Sequence, residues 1–278
     1  MSDERRTGII TGSASGLGRA LAVRLARDGW RLALADVNEQ GNRETLQLVE
    51  QAGGKGRCER LDVTDLDQWS ALHDRLRSEW TQLDLLANNA GVAGAGDVGR
   101  FPMAEWRRLL EVNLWGVIHG CHVFVEWLKS HPGRSQIINT ASAAAFAAAP
   151  SMAAYNVSKA GVLALSETLC AELRPYGVGV TVLCPGFFLT GLVEQGHFER
   201  EEQRQAALER MQLSSLTADS VAEFAVQAMR RRKLYVVVGR RARWLWRLKR
   251  WSPMLYLTLV AAAYGRELPP ESSPPSRL

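Results

Sequence analysis

Thr11-Gly12-Ser13-Ala14-Ser15-Gly16-Leu17-Gly18 is the stretch that decides the fold of this 278-residue chain. A short apolar run at 7–11 leads into it, and a helical pattern at 17–29 follows. Glycines at such a place permit a tight turn and let the backbone approach a pyrophosphate at the helix N-terminus. The spacing is G-x-x-x-G-x-G, so its position between strand and helix is what favours a dinucleotide loop over an ordinary turn.

Short apolar runs alternate with longer helical patterns along the rest of the chain. The runs lie at 7–11, 31–35, 56–61, 83–88, 136–140, 178–184 and 234–238, and the helical patterns at 17–29, 38–53, 65–80, 103–130, 152–174 and 218–232. Strands that alternate with helices in this way form right-handed βαβ units. We therefore predict an α/β fold of Rossmann type, with a doubly wound parallel seven-stranded sheet in a three-layer α/β/α arrangement.

Asp36 ends the second predicted strand, 18 residues after Gly18. A carboxylate at this place can accept hydrogen bonds from the adenosine ribose of a dinucleotide and would repel a 2′-phosphate. NAD is therefore expected and NADP is disfavoured, although Arg19 and Arg43 are nearby cations. The alternative is a carboxylate that only closes a turn.

Tyr155 and Lys159 lie four residues apart, on one face of a predicted helix. An ammonium beside a phenol favours the phenolate, so we expect Lys159 to lower the pKa of Tyr155. Such a tyrosine can take a proton from an alcohol or return one to a carbonyl. Ser142 follows the strand that ends at Thr140 and could hydrogen-bond the substrate oxygen.

Together these segments resemble the short-chain dehydrogenase/reductase family, compact type with TGxxxGxG and YxxxK motifs. The resemblance runs from residue 7 to about residue 238. It also includes Asp62-Val63, the Asn88-Asn89-Ala90-Gly91 segment, Asn113, and Pro185-Gly186 with Thr190. It implies a cofactor site formed by Gly12, Ser15, Gly16, Leu17, Gly18, Asp36, Asp62, Val63, Asn89, Ala90, Gly91, Tyr155, Lys159, Pro185, Gly186 and Thr190.

The resemblance also implies catalytic roles. Tyr155 would be the general acid/base, and Lys159 would bind the nicotinamide ribose. Ser142 would orient the substrate oxygen, and Asn113 would hold a water in a proton relay. Thr190 would fix the carboxamide of the nicotinamide ring. Family members usually pair through the helices at 103–130 and 152–174, which implies a homodimer or homotetramer.

Two apolar segments, 143–150 and 187–189, would line the substrate pocket in such a fold. Neither offers an arginine or lysine to a phosphate or carboxylate, so a hydrophobic alcohol or ketone of lipid, steroid or retinoid type is expected. The alternative is that the alanines only pack beneath a neighbouring loop. The polar segment 194–212 is predicted to form a lid.

Charge is unevenly distributed along the chain. Ten of the 34 Lys and Arg residues lie between 230 and 250, where there is no acid, although the net charge is only +5. The four cysteines include no CxxC pair, so reduced thiols and no metal site are expected. The chain has no leader pattern and no apolar stretch long enough to span a bilayer, so a cytoplasmic protein is expected.

The chain divides into a predicted dinucleotide-binding domain at 1–238, a basic and aromatic amphipathic extension at 239–267 and a disordered tail at 268–278. In the extension, Trp244, Leu245, Leu248 and Trp251 would share one helical face. Basic residues beside tryptophans favour peripheral contact with an anionic membrane through 240–264. Docking on the same domain or on a partner subunit is the main alternative, and nucleic-acid binding is not expected.

An NAD-dependent oxidoreductase acting on a hydrophobic alcohol or ketone is the leading interpretation. A reductase of acyl-thioester or soluble carbonyl substrates is a second one, against which Asp36 counts because reduction usually uses NADP. A non-catalytic dinucleotide-sensing scaffold is a third interpretation. A sensor would need only the glycine loop, whereas this chain also carries Asn113, Ser142, Tyr155 and Lys159.

Overall fold

The structure of the protein is a computed structural model, which describes residues 5–131, 135–189, 191–194 and 196–267. Its strands are β1 (Thr7–Thr11), β2 (Arg31–Asp36), β3 (Lys55–Arg60), β4 (Leu85–Asn88), β5 (Gly94–Ala95), β6 (Gln136–Thr140), β7 (Gly179–Pro185), β8 (His197–Phe198) and β9 (Tyr235–Val238). Its helices are α1 (Gly16–Ala26), α2 (Glu39–Gln51), α3 (Leu66–Glu79), α4 (Met103–Leu110), α5 (Gly116–Lys129), α6 (Ala144–Ala147), α7 (Ala153–Leu173), α8 (Glu201–Gln212), α9 (Ala218–Arg230), α10 (Arg240–Trp251) and α11 (Pro253–Glu267). A π-helical turn, Glu111–Trp115, joins α4 to α5, and a 3₁₀ turn, Arg174–Tyr176, follows α7.

Seven strands form one parallel sheet in the order β3-β2-β1-β4-β6-β7-β9. The chain winds outward in one direction from β1 to β3 and in the other from β4 to β9, so the order reverses between β1 and β4. This arrangement confirms the predicted doubly wound Rossmann-type sheet. In such sheets ligands bind beyond the carboxyl ends of the strands at the reversal point, which here are the ends at Thr11 and Asn88.

Helices cover both faces of the sheet, and the two largest apolar cores among the described residues lie beneath them. One core contains Trp69 and Phe124, whose rings meet edge to face with centroids 6.0 Å apart. The other lies under α1 and α9 and contains Leu21 and Val226. Each large side chain buried this way contributes about 1.5–3 kcal/mol by leaving water. The two cores therefore hold the strand ends in fixed relative positions.

Two predicted segments differ in detail from the structure. The helix expected over 103–130 is two α-helices with the π-turn between them, because one residue more is wound into that turn than an α-helix holds. The polar segment 194–212 includes β8 and α8, and β8 pairs with β5 through Gly94–His197 and Ala95–Phe198. Part of the predicted lid is thus tied to the body by a small second sheet.

The C-terminal extension forms two helices that lie against the body of the same chain. Ala242 and Tyr256 are buried, whereas Trp244 is 58% exposed and Trp251 is 80% exposed. Leu245 packs against the core. It was predicted to share one helical face with Trp244 and Trp251, but it points to the protein body while they point to solvent. Among the described residues, no helix is both long enough and apolar enough to cross a membrane. The predicted disordered tail, 268–278, lies outside the described residues.

Candidate active site

The glycine loop connects β1 to α1 at the point where the strand order reverses. Gly12 and Gly16 have φ angles of 65° and 52°, in the left-handed region that favours glycine. A Cβ on Gly18 would overlap the carbonyl oxygen of Gly12, so the turn closes only with glycine there. Ser15 precedes α1 and makes no capping hydrogen bond with its side chain, which leaves the first-turn N–H groups available to an anion.

The Asn-Asn-Ala-Gly segment is fastened to the start of this loop. The hydroxyl oxygen of Thr11 accepts hydrogen bonds from the backbone N–H groups of Asn89 and Ala90 at 2.9 and 3.0 Å. The Asn89 amide donates in turn to the carbonyl oxygens of Thr11 and Gly12. The loop therefore has a rigid support. The sequence gives only a weak signal for this role of Thr11, because all it shows is a hydroxyl at the end of an apolar strand.

Asp36 stands at the carboxyl end of β2, beside the glycine loop. Its carboxylate accepts hydrogen bonds from the backbone N–H groups of Ala14 and Asn38, both at 2.9 Å. Arg19 donates to the carbonyl of Ala14 and forms an ion pair with Glu44 at 3.0 Å. The carboxylate is thus held in place by the loop itself, and Arg19, one of the two cations noted in the sequence, already has partners.

Asp62 and Val63 follow the end of β3. The Asp62 carboxylate accepts hydrogen bonds from the backbone N–H and the hydroxyl of Thr64, at 3.0 and 2.8 Å. Val63 is buried, and its carbonyl accepts the indole N–H of Trp69 at 3.0 Å. These bonds fix the turn. The cofactor contact that the resemblance implies for Asp62 and Val63 would therefore use the atoms of the two residues that the turn leaves free.

Ser142, Tyr155 and Lys159 meet beyond the carboxyl end of β6. The hydroxyl of Tyr155 shares a hydrogen bond with the side chain of Ser142. Lys159, one turn further along α7, donates to the carbonyl oxygen of Thr140 at 2.9 Å. A Cβ on Gly91 would lie 3.4 Å from the Lys159 nitrogen, so the Asn-Asn-Ala-Gly segment borders the same space. The structure brings the predicted acid/base group next to the predicted cofactor loop.

Burial shifts the pKa values of this group in a direction that the sequence did not indicate. It raises the pKa of Tyr155, and the hydrogen bond with Ser142 opposes that rise. It lowers the pKa of Lys159 to about 8. The expected lowering of the tyrosine pKa by Lys159 is absent because loss of hydration disfavours the phenolate and the ammonium alike.

Asn113 lies in the π-turn and is completely buried. Its amide accepts from the backbone N–H of Val92 at 2.8 Å and donates to the Val92 carbonyl at 2.9 Å. It also donates to the hydroxyl of Ser158 at 3.3 Å, and Ser158 donates to the carbonyl of Tyr155. The side chain therefore joins three parts of the site. The relay water implied by the resemblance would need a partner other than this amide.

A buried polar chain, which the sequence did not reveal, ties α7 to the sheet. Asn88 donates to Asn139 at 2.9 Å, and Asn139 donates to the hydroxyl of Ser166 at 3.0 Å. All three side chains are buried. A buried hydrogen-bonded chain fixes the relative placement of its elements. An asparagine within an apolar strand was the one available signal for Asn139.

The Pro185-Gly186 segment lies beside Ser142. The Pro185 carbonyl accepts the N–H of Ala143 at 2.8 Å, while Gly186 donates to the Val238 carbonyl at 3.0 Å. Thr190, predicted to contact the nicotinamide carboxamide, lies outside the described residues. Near the segment, Phe188 is buried, Phe187 is 41% exposed and Leu189 is 62% exposed. Arg210 of α8 lies over the Phe187 ring at 6.0 Å, a cation that the segment's own sequence does not show.

A doubly wound sheet with a glycine loop at its reversal point and a Ser-Tyr-Lys group beside it defines a dinucleotide-binding oxidoreductase fold. A sequence profile described as short chain dehydrogenase matches residues 6–201. The chain belongs to the short-chain dehydrogenase/reductase family of oxidoreductases. Its resemblance to that family, expected from the motifs, is confirmed.

Three comparisons show how near known members are. The "Probable oxidoreductase EphD" of Mycobacterium tuberculosis is 34% identical over 232 residues, which are 81% of this chain but only 39% of that protein. The "3beta-hydroxysteroid dehydrogenase 1" of Eggerthella lenta is 33% identical over 207 residues, or 74% of this chain and 78% of that protein. A crystal structure of a short chain dehydrogenase/reductase from Burkholderia phymatum in complex with NAD covers 92% of this chain and 96% of its own, at 31% identity and a TM-score of 0.84.

Proposed function

We propose that the protein is an NAD-dependent dehydrogenase that transfers a hydride between nicotinamide and a hydrophobic secondary alcohol or ketone. The observation that carries the proposal is that the buried side chains of Tyr155 and Lys159 lie with the partly buried Ser142 at the carboxyl edge of the sheet, beside the glycine loop. Residues 1–238 would carry the chemistry, and residues 239–267 would serve as an added extension.

In the direction of oxidation, the phenolate form of Tyr155 would take the proton from the substrate hydroxyl and become the neutral phenol. The hydroxyl of Ser142 would then donate its one proton to the substrate oxygen instead of to Tyr155, and would orient that oxygen. When bound, the nicotinamide ring supplies the hydride acceptor for the substrate carbon. Lys159 would bind the nicotinamide ribose, and Asn113 would keep Val92 and Ser158 in register around the site.

Three features support NAD as the cofactor. The glycine cradle and the uncapped start of α1 fit a pyrophosphate. The Asp36 carboxylate is fixed beside the glycine loop, from where it could accept hydrogen bonds from an adenosine ribose, and Arg19 is engaged with Ala14 and Glu44. The similar protein from Burkholderia phymatum is described in complex with NAD.

A hydrophobic substrate is supported by the lining of the site. In the two segments predicted to line it, Phe146 and Phe188 are buried, and Phe187 and Leu189 leave apolar surface exposed. The similar protein from Eggerthella lenta is named for a hydroxysteroid. Reduction of an acyl thioester is less well supported, since it would usually use NADP, which Asp36 disfavours.

Substitution of Tyr155 by phenylalanine tests the proposal. Removal of one general acid/base should reduce the oxidation of secondary alcohols by about 10²- to 10⁴-fold and leave the dissociation constant for NAD unchanged. Tyr176→Phe is a matched control, because Tyr176 lies on an exposed turn after α7. Turnover that survives in Tyr155→Phe would refute the mechanism. A chain that binds NAD tightly and oxidises no alcohol would favour the dinucleotide-sensing scaffold.

The exposed side of α10 and α11 supports peripheral contact with an anionic membrane. The cations Arg243, Arg247 and Arg250 are exposed there, and no acid occurs between residues 240 and 266. The exposed apolar side chains are Trp244, Trp251, Met254, Leu255, Leu257 and Leu259. Adjacent cations and tryptophans suit a surface of anionic lipid. The rest of each helix docks on the body, so a lipid surface and intramolecular docking are compatible.

Vesicle binding tests this contact on the full chain. The double variant Trp244→Ala/Trp251→Ala should bind vesicles of phosphatidylserine and phosphatidylcholine less tightly than the unmodified protein. Salt should weaken the binding of both. Leu213→Ala is the control, because Leu213 is 87% exposed but lies outside the extension. Equal binding by all three proteins, or equal binding to vesicles of phosphatidylcholine alone, would contradict the proposal.

Self-association is also proposed, through the helices at 103–129 and 153–173. Trp115 is 47% exposed and Val157 is 50% exposed on these elements. Large apolar side chains left at a surface often mark a contact with another chain. Sedimentation equilibrium should show a dimer or tetramer that Val157→Glu weakens, and a monomer at micromolar concentration would contradict it.

A further inference from the structure

The loop between Ser142 and α7 has a backbone that its own sequence does not favour. Ala148 and Ser151 have φ angles of 49° and 57°, in the left-handed region. L-residues with a Cβ are disfavoured there, and alanine has no polar side chain that could compensate locally. Such a conformation persists when its surroundings hold it. We call residues 143–151 the substrate loop, because they connect Ser142 to the helix that carries Tyr155.

The C-terminal extension supplies contacts in the middle of the substrate loop. The hydroxyl of Tyr256 donates to the carbonyl oxygen of Ala147 at 2.5 Å, and the ammonium of Lys249 donates to that of Phe146 at 2.8 Å. Carbonyls at the end of a helix such as α6 lack partners within the helix, so these two side chains complete its C-terminus. Tyr256 is only 2% exposed, and the Lys249 nitrogen lies 5.7 Å from its ring centre.

A second set of contacts holds the C-terminal end of the substrate loop. The hydroxyl of Ser151 donates to the Asp97 carboxylate at 2.6 Å. The hydroxyl of Tyr264, in α11, donates to the same carboxylate oxygen at 3.3 Å and lies 3.2 Å from the Ser151 oxygen. Arg200, just before α8, forms an ion pair with Asp97 at 3.5 Å. The extension, the substrate loop and the predicted lid therefore meet at one carboxylate.

We infer that the C-terminal extension sets the shape of the substrate pocket by holding the substrate loop, with Tyr256 as the main positioning residue and Lys249 and Tyr264 as its supports. None of the three is expected to touch the reacting atoms. Their effect would reach the substrate through the loop backbone, so they would select among alcohols of different size. The inference rests on the proposed function, since it concerns the substrate of that same site.

Tyr256→Phe is the deciding variant because it removes one hydroxyl and keeps the buried ring. Hydrogen exchange of the backbone N–H groups at 144–151 should be about five times faster in this variant, in line with the loss of one net hydrogen bond. Tyr176→Phe, which removes an exposed hydroxyl from the turn after α7, should leave that exchange unchanged. Unaltered exchange in Tyr256→Phe and in Lys249→Met would overturn the inference.

Kinetics then test the consequence for substrate choice. With secondary alcohols from a five-carbon ring to a sterol, Tyr256→Phe should raise KM several-fold more for the largest alcohol than for the smallest. The kcat for the smallest alcohol and the dissociation constant for NAD should stay within about twofold. Equal changes in KM for all alcohols would overturn the role in selection. An unmodified protein that oxidises none of the alcohols would refute the proposed function, whereas the exchange measurement would still decide whether the extension holds the loop.

Discussion

The nitrogen of Lys159 lies 5.9 Å from the centre of the Tyr155 ring, and its hydrogen bond goes to the carbonyl of Thr140 and not to the phenol. Both side chains are buried, which raises the pKa of Tyr155 and lowers that of Lys159 to about 8. In water the two groups lose their protons at nearly the same pH. In this site the amine loses its proton first, so the charge of Lys159 responds to pH near neutrality.

Lys159→Met should make the folded state more stable near pH 7 by an amount that falls as the pH rises. The unfolded amine keeps its reference pKa of 10.5, while the folded one has a pKa of about 8. Below pH 8 the folded state bears the full cost of a buried ammonium, and above pH 10.5 it bears none. The advantage of the variant should be roughly 2 kcal/mol smaller at pH 9.5 than at pH 7.

Urea unfolding of both proteins across this range measures the difference. Lys129→Met serves as the control, because the Lys129 ammonium pairs with Glu126 at the surface and its pKa is raised, not lowered. If the difference in the free energy of unfolding between Lys159→Met and the unmodified protein stayed constant with pH, burial would not lower the pKa of Lys159.

Gly18→Ala should weaken NAD binding at least about tenfold, since its Cβ would overlap the carbonyl of Gly12 and force the loop open. Gly265→Ala offers a control within α11, where an added Cβ meets nothing within 4 Å. Isothermal titration calorimetry with NAD measures both. Tight NAD binding by Gly18→Ala would mean that the loop does not carry the pyrophosphate.

Asp36→Ala should reduce the preference for NAD over NADP by about ten- to a hundredfold. The change removes a charge that would repel a 2′-phosphate, and it removes the acceptor for the ribose hydroxyls. Each loss should change the binding free energy by about as much as one hydrogen bond to a charged group contributes. The ratio of kcat/KM for the two cofactors is the measurement, with the exposed carboxylate of Asp74 as the control in Asp74→Ala. An unchanged ratio would place the adenosine ribose elsewhere.

Asn113→Ala should lower the free energy of unfolding by about 2–3 kcal/mol. It leaves the backbone N–H and carbonyl of Val92 without their side-chain partner in a buried site. Asn38→Ala provides a comparison, because it removes one cap from α2 and should cost only about 1 kcal/mol. If the two variants lost equal stability in urea, the Asn113 bonds would not hold the site together.

The strands and the glycine loop were predictable because their signals are local. Each of the seven main strands lies within two residues of the apolar run that predicted it, since strands covered on both faces are short, continuous and bounded by turns. Helical spacing put Tyr155 and Lys159 on one face, and the resemblance to the family added Ser142 to them.

The docking of the extension was not predictable from hydrophobicity. Its inner seam is built from Ala242, Trp246, Lys249 and Tyr256, a small residue, two aromatics and a cation that caps carbonyls. An apolar pattern selects Trp244 and Trp251 instead, and both are exposed. The contacts of Tyr264 with Ser151 and Asp97 join residues more than a hundred positions apart, for which a single sequence holds no signal.

The π-turn at Glu111–Trp115 also has a consequence for how sequences of this kind are compared. Each additional residue rotates the following side chains by about 100° around a helix axis. The turn therefore acts as a one-residue insertion stored inside a continuous helix. Loss of a single residue there would keep the helix intact but would rotate α4 relative to α5. The α4 side chains would then no longer face their present neighbours. Alignments of this region with relatives that lack the turn should allow a one-residue gap at Glu111–Trp115. Without that gap, the residues of either α4 or α5 would be aligned with the wrong positions.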